Sequence, residues 1–204
     1  MKKGISEPSD CYRSIYGNFW YPVDIKISTL LCSHINNGDS VYEIGFGSGH
    51  YLAFINDLGI DVAGTEIREE AYQSVRKKFS EKYPNIKLYN DDALMIHQHY
   101  DLIYSTGLIQ CLRKDERKAF IKHISNISDK VIYTAPRVSK DRNIGSTTKT
   151  GISGCEEYST GNFAYELSEI YSYVETGIWS KNEIQLEDDF IWFYCDMKRL
   201  NSYK

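Results

Sequence analysis

Long apolar runs are missing from this chain. No stretch reaches the roughly 18 apolar residues that a membrane-spanning helix needs. The N-terminus, MKKGISEPSD, turns polar where a secretory leader would stay apolar. Both omissions lead us to expect a cytoplasmic protein. Paired cysteines are missing too. Cys11, Cys32, Cys111, Cys155 and Cys195 are odd in number and scattered, with no CxxC pair. They suggest neither a disulfide framework nor a structural zinc site, and no metal is expected. Positive charge is in deficit: 24 Lys and Arg face 28 Asp and Glu, giving a net charge of −4 and a pI near 5.8. Nucleic-acid binders usually present a basic face, so nucleic acid is a disfavoured partner. Proline is scarce, with four in 204 residues, and no internal repeat or low-complexity linker divides the chain. One ordinary domain is expected.

Aromatic residues are what the chain has in excess, with 17 Tyr against 8 Phe and 3 Trp. Many of the tyrosines (Tyr42, Tyr72, Tyr133, Tyr171 and Tyr194) fall on predicted strands and helices, where packing accounts for them. A cluster of Tyr12, Tyr16, Trp20 and Tyr21 lies ahead of the first predicted strand. It suits either a cap over a pocket or a docking helix.

Short β-rich runs alternate with helical spacing. Residues 23–37 carry Ile27, Leu30, Leu31 and Ile35 on one face, stopped by Asn36-Asn37-Gly38. A strand from Ser40 to Ile44 follows, then a helix over 49–58 closed by Gly59. Asp61 to Glu66 reads as a strand, 68–82 as a charged helix and Ile86 to Tyr89 as a third strand. Asp101 to Ser105, a helix over 114–127 and Lys130 to Thr134 continue the alternation. Residues 136–160 lack periodicity, 161–173 return to helix, and 174–197 read as two strands around Glu187-Asp188-Asp189. This order predicts an α/β fold, a doubly wound, mostly parallel sheet with an antiparallel C-terminal strand and helices on both faces. Ligands bind such sheets outside the carboxyl ends of the strands, at the switch in strand order.

At that end of the first strand stands Glu43-Ile44-Gly45-Phe46-Gly47-Ser48-Gly49. Glycines between a strand and a helix permit a tight turn and close approach to bare backbone. A dinucleotide fingerprint needs a further glycine at position 50, which is His50. The run E-x-G-x-G-x-G instead resembles the first motif of the class I S-adenosylmethionine-dependent methyltransferases. Glu66, 17 residues after Gly49, ends the second strand, where a carboxylate can accept from both ribose hydroxyls of an adenosyl ligand. Asn90-Asp91-Asp92-Ala93 resembles the family's turn after the third strand, and DLIYSTGLIQCL its fourth motif.

The resemblance covers about 40–197 and implies a seven-stranded sheet, S-adenosylmethionine as cofactor and methyl transfer as reaction. It implies cofactor contacts from Glu43, Gly45, Gly47, Gly49, Glu66, Ile67, Asp92, Ala93 and the backbone of Ser105. Residues 1–39 would form an N-terminal cap and first helix, and 40–204 the cofactor domain, in one compact unit. Methyl transfer can proceed by positioning alone, so no catalytic residue is assigned.

His97 and His99 precede the fourth strand and fall at its amino end, away from the expected site. His34 and His123 fall on helices, whereas His50 opens the helix after the glycine turn. The acceptor pocket is assigned to Tyr16, Trp20, Tyr21 and Arg137, the last in a locally basic segment after Pro136. An [N/D]PP[Y/F] run and a Pro-Cys pair, marks of nucleobase methylation, are both missing. A small-molecule acceptor methylated at O or N is therefore the leading expectation. RNA or protein methylation, or a non-catalytic adenosyl-ligand-binding partner protein, are the alternatives.

Overall fold

The strands are short runs of β-branched, apolar and aromatic residues, and the helices are amphipathic stretches set between them. The structure is a computed structural model that describes residues 25–136, 160–179 and 190–198. Helix α1 (Ile25–His34) precedes β1 (Ser40–Ile44), α2 (His50–Asp57), β2 (Asp61–Thr65), α3 (Glu69–Lys82) and β3 (Lys87–Tyr89). Then come β4 (Leu102–Thr106), α4 (Lys114–Ser125), β5 (Lys130–Pro136), α5 (Thr160–Ser168), β6 (Tyr173–Trp179) and β7 (Phe190–Asp196). The strands form one seven-stranded sheet in the order β3-β2-β1-β4-β5-β7-β6. The neighbours from β3 through β5 pair in parallel, while β7 runs antiparallel to both β5 and β6. This is the expected doubly wound sheet.

The period-two alternation of the strands divides the core into two layers. Val41, Leu102 and Tyr104 face one side, packed with Leu31 of α1, Leu52 of α2 and Phe79 of α3. Tyr42, Ile103 and Tyr133 face the other, packed with Ile121 of α4 and Phe163 of α5. The second layer is fastened by a buried ion pair. Arg117 of α4 donates from Nε and Nη2 to Glu166 of α5 at 3.1 and 3.2 Å, and from Nη1 to the Leu112 carbonyl at 3.0 Å.

Several elements differ from the sequence expectation. The helix expected over 161–173 stops at Ser168, because the N–H groups of Ile170 and Tyr171 both turn back to the Leu167 carbonyl. Two single 3-10 turns, Ala93–Met95 and Ile109–Cys111, were not foreseen. Three residues are too few to carry a periodicity.

Candidate functional site

The strand order reverses between β1 and β4, and the candidate site forms at their carboxyl ends. The N–H groups of Gly45 and Phe46 both donate to the Thr65 carbonyl, at 2.8 and 3.2 Å. The turn after β1 is thereby stitched to the end of β2. Gly45, Gly47 and Gly49 adopt φ of 73°, 53° and 74°, left-handed values that side chains disfavour.

The space around these glycines differs. A Cβ on Gly49 would lie 2.7 Å from Val75 Cγ1 and 3.0 Å from Phe79 Cζ, so α3 packs where a side chain would stand. At Gly45 and Gly47 the nearest atoms among the described residues beyond the chain neighbours are those of Leu108 and Arg68 Nη2, each 3.9 Å away. Gly49 therefore serves helix packing, whereas Gly45 and Gly47 present bare backbone.

Two carboxylates underlie the turn. Glu43 on β1 is buried and accepts a 2.9 Å hydrogen bond from the hydroxyl of Tyr104, its register partner on β4. Burial pushes its carboxyl up to about 8, the nearby Glu66 pushes the same way, and the bonds from Tyr104 and the Leu52 backbone oppose them. Glu66, just past β2, is also buried. Its Oε2 accepts from the Gly47 N–H at 3.0 Å, so the acid and the glycine turn are joined directly. Arg68 occupies the rest of the carboxylate: its N–H and Nε reach Oε1 at 3.0 and 2.9 Å, and its Nη2 reaches Oε2 at 3.2 Å.

Residues 41–129 match the family model described as a methyltransferase domain. Over that span the chain is similar to methyltransferase domains. Solved structures of low identity share its fold. Magnesium protoporphyrin IX methyltransferase from Synechocystis PCC 6803, solved with bound SAH, is 18% identical with a TM-score of 0.69, over 93% of each chain. An S-adenosylmethionine-dependent methyltransferase from Aquifex aeolicus is 14% identical with a TM-score of 0.65, over 92% of this chain and 97% of its own. TehB from Haemophilus influenzae is 14% identical with a TM-score of 0.67, over 92% of this chain and 67% of its own.

The site fits S-adenosylmethionine on its own geometry: a bare-backbone turn, a buried acid tied to that turn, and a second buried acid two residues before it. Beside these, Asp92 caps the 3-10 turn through Oδ1, which accepts from the Leu94 N–H at 2.9 Å. Ala93 is half-buried, while Ile67 and Leu94 remain 44% and 41% exposed. Ser105 lies within β4, fully buried, and its Oγ finds no hydrogen-bond partner among the described residues. The last residue of β4 is Thr106. Past it, Gly107 donates to the Thr134 carbonyl at 2.9 Å and Leu108 faces Gly45.

His50 is half-buried at the start of α2, its Nδ1 2.5 Å from Ser48 Oγ and its ring 4.3 Å from that of Tyr51. Burial pulls its pKa down to about 4, so the imidazole is neutral near pH 7. His97 and His99 are exposed before β4, His123 Nε2 lies 2.8 Å from the Ile96 carbonyl oxygen, and His34 stacks on Tyr194. Tyr16, Trp20, Tyr21 and Arg137, assigned to the acceptor pocket, lie outside the described residues, as does most of 136–160.

Three residues of the site escaped the sequence reading. Tyr104 is reached only through the β1–β4 register, and Leu108 only through the crossover. Arg68 had a local signal, a cation two residues past the acid.

Proposed function

We propose that this methyltransferase transfers a methyl group to an oxygen or nitrogen of a small-molecule acceptor. The bound S-adenosylmethionine supplies the methyl as a sulfonium electrophile. The chain's own residues bind and orient it. Gly45 and Gly47 offer backbone to the methionine part, and Gly49 holds the turn against α3. Glu43 faces the ammonium from below, and Glu66 accepts from the ribose hydroxyls. Ile67 and Leu94 cover the purine, Asp92 and the Ala93 backbone meet its polar edge, and the Ser105 end of β4 lines the opposite wall. Tyr16, Trp20, Tyr21 and Arg137 border the acceptor.

The hydrogen bond from Gly47 to Glu66 carries this assignment, since it makes turn and acid one rigid unit. The acceptor class rests on the net charge of −4 and the missing nucleobase motifs. Incubation with labelled S-adenosylmethionine and a panel of phenols, carboxylates and amines, beside bulk RNA and protein, tests it. Label in a small acceptor supports the reading. Label only in RNA or protein contradicts it.

A further inference from the structure

Glu66 has two jobs that compete for the same lone pairs. An ionised carboxylate offers about four acceptor positions. Here four donors of the chain itself take them: the N–H groups of Gly47 and Arg68, and Nε and Nη2 of the Arg68 side chain. The two backbone donors are fixed by the glycine turn and by the approach to α3. The two guanidinium donors come instead from a side chain that is 26% exposed. A ribose diol brings two hydroxyl donors, the same number that the guanidinium supplies. The guanidinium also stands over Gly47, with Nη2 the nearest atom, at 3.9 Å, to where a Cβ would be.

We infer that Arg68 is an internal competitor of the cofactor: it satisfies the Glu66 carboxylate in the empty site and yields its two acceptor positions to the ribose hydroxyls on loading. The inference rests on the cofactor assignment proposed above. Its physical logic is charge compensation. A carboxylate as buried as Glu66 is costly without a partner, so the empty site needs one. That partner must also be removable, and a fork on a partly exposed side chain is. Arg68 thus stabilises the empty protein and weakens its hold on the cofactor. A merely structural ion pair would support both.

The test measures both quantities on the full chain. S-Adenosylhomocysteine and its 2′,3′-dideoxy analogue are titrated calorimetrically into the wild type and Arg68→Ala, and the ligand-free melting midpoint of each protein is recorded. Arg68→Ala is expected to melt lower when empty and to bind S-adenosylhomocysteine tighter, by on the order of tenfold. The gain vanishes with the dideoxy analogue, which has no hydroxyls to place on Glu66. Arg68→Gln, which keeps length and loses the charge, carries the same expectation should Arg68→Ala not fold. Wild-type binding with an unchanged or weaker affinity in the variants overturns the inference and leaves the cofactor assignment standing. Absence of S-adenosylhomocysteine binding in wild type and variants alike overturns the cofactor assignment, and the inference with it.

Discussion

Tyr104 reaches across the β1–β4 ladder and donates its hydroxyl to Glu43 at 2.9 Å, both residues shielded from solvent. This bond lies in the layer that Val41 and Leu102 face, with Glu43 two residues before the glycine turn. Burial outweighs this bond, so the carboxyl holds its proton near neutral pH.

Stability records that proton. With its carboxyl raised to about 8, Glu43 keeps a proton that the unfolded chain has already lost, so stability falls as pH rises toward 8. His50, lowered to about 4, acts oppositely but only below its unfolded value near 6.5. Between about pH 6.5 and 8 the falling limb therefore belongs to Glu43, and amounts to at most about 2 kcal/mol. Urea unfolding across that window is expected to show the decline in the wild type and a flat profile in Glu43→Gln.

Cofactor binding is expected to release that proton. A cationic ammonium beside Glu43 favours the ionised carboxylate. Calorimetric heats of S-adenosylhomocysteine binding at pH 7 will then differ between phosphate and Tris buffers, while Glu43→Gln removes the difference. Equal wild-type heats in both buffers count against the assignment of Glu43.

The glycines separate folding from binding. In Gly49→Ala the new Cβ meets Val75 Cγ1 at 2.7 Å from a strained φ of 74°, so a loss of about 2 kcal/mol or more is expected by denaturant unfolding. Among the described residues beyond its chain neighbours, Gly47→Ala meets no atom closer than 3.9 Å, and its cost there is the strain of its φ. Its stability loss is expected to be on the order of 1 kcal/mol, with the larger effect on S-adenosylhomocysteine affinity.

The buried Arg117–Glu166 fork fastens α4 to α5 across 49 positions of sequence. Arg117→Ala or Glu166→Ala alone breaks the buried ion pair and is expected to cost about 3 to 5 kcal/mol. The double change to Leu at both positions is expected to recover much of that loss. A denaturant-unfolding cycle over the four proteins measures it.

What could be read from the sequence follows from the range of each interaction. The β1 strand was legible to the residue, because an apolar run and a glycine turn bound it locally. Glu66 was legible as a strand-ending acid at a set distance from the turn. The early end of α5 was hidden because Leu167 and Ile170 keep helical spacing while the chain turns. Tyr104 under Glu43 and Glu166 on Arg117 depend on register and on packing between elements, which local pattern does not encode. Arg68 lay in plain view, but only the geometry at Glu66 shows that it fills acceptor positions of that carboxylate.

The central claim is that Glu66 and the glycine turn form one cofactor-binding unit. Calorimetric titration of S-adenosylhomocysteine into the wild type and Glu66→Ala tests it most directly, with circular dichroism to establish folding of both. The account predicts saturable binding by the wild type and an affinity weaker by on the order of a hundredfold in the folded variant. No wild-type binding at millimolar ligand, or equal affinities in the two proteins, contradicts it.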